Sequence, residues 1–594
     1  MAQGESSNFK SFKDLLKARG GTPPADQAPD SAPQPPSGPN AAGYEEKSVE
    51  EFVSEYGDRA LEETSRERIA RRPDAFGPME HGPAVYRDES SEEMGLLSSF
   101  RLRTLFPADV LAEVEALPFD PQPEDFVGRE DLRHELIYTI DGEDAKDYDD
   151  AISIRDLGNG EVEVGVHIAD VAHYVRPGTA LDAEALSRGT SVYLADQVIP
   201  MLPEKLSNHL CSLVGGRPRL AYSVHMVFDA KGARKSARVS KSVIMSVRRN
   251  TYREVQELLD GADTPAKEAL AFLEPSLRLF QKWTVKQQAL RDAKGSMRIN
   301  TGEKKIRFDE RHEPVAVYEA PRYFSMTLIE ETALAANQAV GDLFRERGLP
   351  TIYRVHPEKD PEEIAKVAAA LEEHGLRVPT KERLTGRDIA RLITAARKKP
   401  NAEALIMRIM GLIERAVYEV KDHEDVATHF GLARKAYLHF TSPIRRYPDL
   451  MVHRWLWAIE SRREEAEREL KTEELVDDLV DVAAHCSMQA DVAQMAEISM
   501  FDLKVCQLMH PHIGEKHEAV IVRVFPAGME VRLREFNVTG FLPARAIGDK
   551  SEVSGPTLKI RAGRRQFSFT EGYPVDVRVQ DVDFLKLSVL LELA

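Results

Sequence analysis

Apolar and polar positions divide this chain into zones of different period. From about residue 121 to 250 short apolar runs alternate with turns, as ELIYTI, AISI, VEVGVHIADV and YSVHMVF, and this pattern predicts strands. From about 254 to 510 the period becomes helical, in MTLIEETALAANQAVGDLF and in a long run from about 465 to 509. Beyond residue 512 strands return as HEAVIVRV, MEVRL, YPVDVRVQDV and KLSVLLEL, so residues 512–594 read as a small barrel. Residues 46–119 are charged and helical in pattern. Residues 1–45 have little to bury, with Pro, Gly, Ala and Ser concentrated in 21–44, which predicts a disordered tail. Ahead of that stretch, NFKSFKDLLKARGG would place Phe9, Phe12, Leu15 and Leu16 on one face of a short helix. Segment 8–20 reads either as a docking peptide for a protein partner or as a nascent helix without one.

Composition narrows the classes. The 594 residues leave room for two to four domains, and 42% hydrophobic content is ordinary for a globular protein. Cys211, Cys486 and Cys506 are the only cysteines, without metal-type spacing. That argues against a disulfide framework and for a reducing compartment, so a cytoplasmic location is expected. No stretch approaches the roughly 18 apolar residues of a membrane span, and no secretory signal core opens the chain. The net charge of −18 disfavours nucleic acid as a partner. Residues 231–253, KGARKSARVSKSVIMSVRRNTYR, soften that objection, because they hold basic residues and no acidic one. Such a run is either an RNA-binding stripe or a solvated strand face.

The densest chemistry lies in TIDGEDAKDYDDAISI, where Asp141, Asp147, Asp149 and Asp150 share one ten-residue block. Carboxylates so close repel one another unless a cation neutralises them. Oxygen donors of this kind suit magnesium or manganese. An acid run alone also fits a solvated turn. The EF-hand alternative fails, because Lys146 and Ile152 stand where that calcium loop needs glycine and glutamate. In an extended segment Asp149 and Asp150 would point to opposite sides, so a turn must reshape the loop if both serve one site.

Longer blocks carry a family resemblance. They are GREDLRHELIYTIDGEDAKDYDDAISI, VHIADVAHYV, RGTSVYLADQVIPMLPEKLSNHLCSL, LIEETALAAN, LPTIYRVH and HFGLARKAYLHFTSPIRRYPDLMVHR, in that order. Through them the chain resembles the ribonuclease II and ribonuclease R family of exoribonucleases. The resemblance implies an α+β fold. An RNB catalytic domain, strands then helices, would occupy residues 120–510, and an S-one type OB-fold barrel residues 512–594. It implies processive 3′-to-5′ hydrolysis of single-stranded RNA to nucleoside 5′-monophosphates, by a monomer without membrane attachment. Magnesium, or manganese in its place, would be held by Asp141, Asp147, Asp149 and Asp150, with Asp149 central to catalysis. Two such ions can lower the pKa of an attacking water and stabilise the leaving oxygen. TSPIRRYPDL supplies the family's catalytic arginine, with Arg445 favoured over Arg446; the structural alternative for either is a pair with Asp449. Glu330 and Glu331 lie in an apolar helical segment, where buried glutamates need partners. One is expected near the 3′ nucleotide and the other to be structural. Tyr193 matches the position that stacks on RNA, and Tyr252 the tyrosine that clamps the terminal nucleotide. His167, Asp170 and His173 resemble a zinc set, with both histidines on one strand face by alternation, but the family's block there is structural.

Three departures matter. No strand-rich stretch before residue 120 matches the family's pair of cold-shock barrels. In the terminal barrel, Ala527 and Glu530 stand where the family has aromatics and Pro543 where it has histidine, leaving Phe525 and Phe541 as expected core residues. CSMQADVAQMAE is nearly uncharged where the family has an ERRAD-like run. These departures feed the alternative reading, an RNB-scaffold RNA-binding protein with little or no activity.

Overall fold

The computed structural model describes residues 92–296, 302–379, 384–399, 401–421, 428–432 and 434–594. The expected tail (1–45), its docking segment 8–20 and residues 46–91 lie outside them. The described chain opens with helix α1 (Glu92–Ser99). Short strands β1 (Glu130–Asp131) and β2 (Thr139–Asp141) follow, then the hairpin β3 (Asp150–Gly158) and β4 (Glu161–Ala169). Gly158, Asn159 and Gly160 all take positive φ, which the tight turn between these strands requires. After helix α2 (Ala180–Arg188) comes a small hairpin, β5 (Val192–Tyr193) and β6 (Val198–Ile199). The long pair β7 (Pro218–Phe228) and β8 (Arg234–Met245) then completes a five-stranded sheet in the order β1-β8-β7-β4-β3. The basic run therefore forms β8, β9 (Arg249–Thr251) and the start of helix α3 (Tyr252–Asp260).

Two helices cover the sheet, α4 (Glu274–Ala293) and α5 (Phe324–Glu346). Helix α5 forms because Leu328, Ala336, Ala339, Val340 and Phe344 recur at helical spacing and all are buried. Phe344 is fully buried, and truncating it to alanine would cost about 3–5 kcal/mol. An added Cβ at Gly341 would collide with the Ala436 carbonyl, so only glycine allows this close packing. Between α4 and α5 the hairpin β10 (Lys304–Phe308) and β11 (Pro314–Glu319) interrupts the expected helical zone. Strand β12 (Thr351–Val355) leads into a helical lobe of α6 (Pro361–Glu372), α7 (Gly386–Ala396) and α8 (Ala402–Met410), with its own core of Leu371, Leu392, Leu405 and Ile409. The chain returns through β13 (Val417–Lys421), which pairs with β12, and through β14 (Thr428–His429) and β15 (Arg434–Lys435). Helix α9 (Tyr447–Ser461) starts with Pro448 in its first turn, and the long helical run ends in α10 (Glu473–Met509).

In the terminal region β16 (Lys516–Phe525), β17 (Gly528–Leu533) and β18 (Thr539–Pro543) lead to a meander absent from the sequence reading. That meander is β19 (Lys550–Ser554), β20 (Thr557–Ala562) and β21 (Arg565–Thr570). Strands β22 (Pro574–Asp583) and β23 (Ser588–Leu593) then close a five-stranded barrel with β16–β18. Its core, with Ile521, Val531, Leu542, Val579 and Leu591, continues into Ile306 and Val317 of β10–β11 and Met509 of α10. Phe525 and Phe541 depart from expectation: both are only partly buried and stand outside that core. They alternate with the inward Val524 and Leu542, so their rings fall on the barrel's outer surface. No helix among the described residues is long and apolar enough to cross a membrane.

Candidate active site

Two parallel neighbours bring the first aspartate to its place. β2 pairs with β9 so that Asp141 lies beside Thr251. Thr251 caps α3: its Oγ1 accepts the Glu254 N–H at 3.2 Å, and Glu254 Oε2 accepts the Thr251 N–H at 2.8 Å. Tyr252, the first residue of α3, thereby stands next to Asp141. Residues 142–149 leave the strand and fold as a loop, which supplies the required turn. Side chains lock that loop. The Ser212 hydroxyl donates to the Lys146 carbonyl at 2.8 Å and accepts the Tyr148 N–H at 2.9 Å. Arg249 donates to the carbonyls of Gly142 and Glu143 at 2.6 and 2.7 Å, and its guanidinium lies 5.5 Å from the Tyr148 ring centre.

Asp149 is buried, and a segment far along the chain meets it there. The Ile444 N–H donates to Asp149 Oδ1 at 2.9 Å, and Arg445 Nε lies 3.6 Å from Oδ2. Asp150 begins β3. Burial holds the Asp149 carboxyl well above the usual carboxylate range; Arg445 pulls it back down and Asp147 pushes it further up. Burial raises Asp141 strongly as well, with Asp150 adding to the shift and Arg249 opposing it. Asp147 and Asp150 are raised by burial too, each against the pull of Arg445. Asp141 Oδ2 and Asp149 Oδ2 are buried without hydrogen-bond partners.

This donor set fits a hard cation. Four carboxylates surrounded by too little positive charge stay ionised when a divalent ion compensates them. Among the described residues, no three His, Cys, Asp or Glu side chains form a ready-made metal group. The fit therefore rests on the carboxylate chemistry and on the two buried oxygens without hydrogen-bond partners.

The two arginines separate clearly. Arg446 grips Asp449 with Nε and Nη2 at 2.9 and 2.7 Å, and Asp449 also accepts the Ser442 N–H at 2.8 Å. The structural pairing anticipated for this block thus falls to Arg446. The Arg445 side chain is 39% exposed against 17% for Arg446, and its side-chain hydrogen bond goes to Ser442 Oγ at 3.0 Å. The Arg445 carbonyl accepts the Ser191 N–H and the Thr190 hydroxyl, both at 3.0 Å. These bonds join the arginine loop to the β5–β6 hairpin, whose Tyr193 hydroxyl donates to Asp147 Oδ2 at 3.3 Å. Burial raises the pKa of both Tyr193 and Tyr252; Asp147 adds to the first, Asp141 and Asp150 to the second. Tyr193 therefore touches the carboxylate cluster through its hydroxyl, and Tyr252 follows the residue paired with Asp141.

Glu330 and Glu331 answer to arginines instead. Arg291 Nη2 lies 2.9 Å from Glu330 Oε1 and 2.7 Å from Glu331 Oε1. Arg322 lies 3.5 Å from Glu330, and Arg291 and Arg434 hold down a Glu331 pKa that burial raises. No hydrogen bond or ion pair among the described residues joins either glutamate to the aspartates. The histidines also part company. Strand β4 ends at Ala169, so His173 lies in a 3-10 turn and not on the strand face of His167. His167 sits between Ser223 and Ser153 at 2.7 and 3.0 Å, while His173 meets Asp125 at 2.8 Å. Asp170 is taken by Arg129 and Lys241 at 2.7 and 3.0 Å. The basic run is spent on similar pairs, among them Arg238–Glu130 at 2.6 Å, Lys235–Glu161 at 2.8 Å, Arg234–Asp342 at 2.6 Å and Arg253–Glu143 at 2.6 Å.

Sequence reasoning missed Arg249 and Lys504. Arg249 lay hidden in the basic run, where only its charge was visible. Lys504 of α10 is buried, 2.7 Å from Glu93 of α1 and 3.6 Å from Asp196 in the β5–β6 turn. With Leu97 packed among Val192, Leu194 and Ile199, it fixes the hairpin that presents Tyr193. No sequence signal marks it.

Known proteins resemble this chain in sequence and fold. The RNB domain family model matches residues 129–462. Ribonuclease R of Thermotoga maritima is 39% identical over 75% of this chain and 62% of its own length. Ribonuclease R of Aquifex aeolicus is 35% identical over 84% of this chain and 69% of its own. Among solved structures, Mycoplasma genitalium RNase R in complex with ribose methylated single-stranded RNA superposes with a TM-score of 0.75 and 25% identity, covering 84% of this chain and 77% of that one. Yeast Ssd1, a pseudonuclease, shares the fold at a TM-score of 0.61 and 19% identity, covering 80% of this chain and 58% of its own. The chain spans about three fifths of the length of the first curated relatives it matches. With the RNB domain over more than half of its residues, the chain belongs to the RNB family of ribonucleases II and R.

Proposed function

We propose that this chain is a processive 3′-to-5′ exoribonuclease that hydrolyses single-stranded RNA to nucleoside 5′-monophosphates. The observation that carries the reading is Asp149, buried among three further aspartates and clamped by the Ile444 N–H beside a half-open Arg445. Asp141, Asp147, Asp149 and Asp150 would hold magnesium or manganese, which supplies a more acidic water and counter-charge for the leaving oxygen. Arg445 keeps donors free for the phosphoryl oxygens, where charge grows in the transition state. Tyr193 and Tyr252 offer their rings to the bases at the 3′ end, a contact that tolerates any sequence. The relatives are RNase R proteins, one of them solved with single-stranded RNA, which favours RNA as substrate here.

The second reading is a non-catalytic RNA-binding protein, and the fold shared with the pseudonuclease Ssd1 favours it. The intact aspartates and the half-open Arg445 weigh against it. A 5′-labelled single-stranded RNA, incubated with the protein with and without magnesium beside a DNA oligonucleotide, separates the two. A metal-dependent ladder on RNA alone supports the nuclease. Binding without shortening, under magnesium and manganese alike, supports the other reading.

A further inference from the structure

We infer that residues 8–20 of this same chain dock, within one molecule, on the outward face of α10. The inner side of this helix buries Ala496, Met500 and Leu503 against the β5–β6 hairpin and α1. Ser487, on an adjoining side, takes the Tyr418 N–H of β13 at 2.8 Å. The outward side, about 125° round the helix from the hairpin side, carries Val480, Met488, Met495 and Ile498, each about half exposed. At 100° per residue these four fall within a sector of about 80°, together with the exposed Ala484, Asp477 and Asp491. Scattered apolar surface residues need no explanation, but a row of them along one helix face marks a contact. Methionines suit such a face because their side chains adapt to what covers them. Part of this row is the CSMQADVAQMAE stretch, which the proposed nuclease chemistry does not use.

Charge selects the occupant. From Glu473 to Leu503 the helix has Glu473, Glu474, Asp477, Asp478, Asp481, Asp491, Glu497 and Asp502, and neither lysine nor arginine. The nearest cation on the exposed row is Arg415, 3.7 Å from Asp491. Segment 8–20 has the complementary pattern: wound as a helix it would set Phe9, Phe12, Leu15 and Leu16 on one face, with Lys10, Lys13 and Lys17 in a row beside it. Apolar anchors at this spacing are how an amphipathic helix recognises a groove or a helix face.

Connectivity favours the cis arrangement. The described chain begins at α1, and α1 is already fastened to α10. Gln507 donates to Glu93 at 2.8 Å and to Glu92 at 3.3 Å. From Gln507 back to Met488 is about 30 Å along the helix, at 1.5 Å per residue. Residues 21–91 supply 71 residues of connection, which at even 1.5 Å per residue would extend about 105 Å, so the segment reaches the row. Tethering raises the segment's effective concentration at the row, which favours a contact too small to hold two separate chains. Docking on this face leaves the hairpin face of α10, and with it Tyr193, uncovered.

The test uses the full chain with photoreactive p-benzoylphenylalanine in place of Ser11. After irradiation, peptides from 477–502 should be crosslinked to the N-terminal peptide at monomer mass. Met488→Glu with Met495→Glu should reduce that crosslink at least about tenfold, the effect of losing about 1.4 kcal/mol. Phe9→Ala with Phe12→Ala should do the same without touching the folded body. Crosslinks elsewhere on the chain, none at all, or an α10 crosslink indifferent to both double variants would overturn the inference. A crosslink found at dimer mass alone would assign the face to a second copy and overturn it equally.

Discussion

The aspartate pocket and the outer face of the terminal barrel both bring carboxylates, an arginine and aromatic rings together and differ in how their charges are satisfied. On the barrel, Arg523 is paired twice with Glu530, at 3.1 and 2.8 Å, and its guanidinium lies 4.6 Å from the Phe525 ring centre. Both charges of this pair are met locally, and the guanidinium covers the Phe525 ring. In the pocket, burial pushes four carboxylates toward protonation, two of their oxygens lack hydrogen-bond partners, and Arg445 keeps donors to spare. Unspent charge held in a fixed geometry is what a reaction can use; charge already paired supports the fold. The contrast repeats between adjacent residues, with Arg446 closed on Asp449 and Arg445 left open.

If that distinction holds, the two arginines fail differently. Arg446→Ala leaves the buried Asp449 without its bidentate partner and should cost about 3–5 kcal/mol of stability, read as a lower midpoint in urea unfolding. Arg445→Ala should leave the midpoint within about 0.5 kcal/mol. Its kcat should fall about 100- to 1,000-fold, as when one oxyanion donor is removed. The same midpoint loss in both variants would erase the contrast.

Smaller effects sharpen it. Lys504→Met removes the cation between Glu93 and Asp196 and loosens the hairpin under Tyr193. It should raise KM for RNA about tenfold with kcat little changed, equivalent to about 1.4 kcal/mol of lost binding, and Lys504→Arg should restore part of it. An unchanged KM would show that the hairpin holds its place without Lys504. Tyr252→Ala should lengthen the limit product by a few nucleotides, because a stacked base contributes about 1–3 kcal/mol. An unaltered ladder would remove the clamp from the account. Phe525→Ala with Phe541→Ala, on the satisfied barrel face, should change RNA affinity by less than about twofold. A steep loss there would mean that the covered ring is used after all.

The chemistry was legible in the sequence and the geometry was not. TIDGEDAKDYDDAISI and TSPIRRYPDL stand out as blocks, yet the bond that joins them runs from Ile444 to Asp149 across 295 residues of chain. No spacing rule reaches that far. Pairing decides between Arg445 and Arg446, and a run of letters does not show pairs. Strand alternation misplaced His173 because β4 stops at Ala169. The meander β19–β21 is hard to see because Lys550, Ser551 and Glu552 of β19 are exposed and the apolar alternation is short, only Leu558 and Ile560 in β20 and Phe567 and Phe569 in β21. The basic run showed its charge but not the acids that neutralise it. Glu330 and Glu331 read alike as acids in an apolar helix in need of partners; the structure buries only Glu331, leaves Glu330 36% exposed and supplies Arg291 to both.

The most direct test of the pocket is Asp149→Asn, measured as the single-turnover loss of 5′-labelled RNA in magnesium together with RNA affinity by filter binding. The Ile444 N–H can still donate to the asparagine, so the loop should keep its place. The account predicts a rate lower by at least about 1,000-fold, or about 4 kcal/mol, with affinity within about twofold of the parent. Retained turnover, or affinity lost in step with the rate, would contradict it.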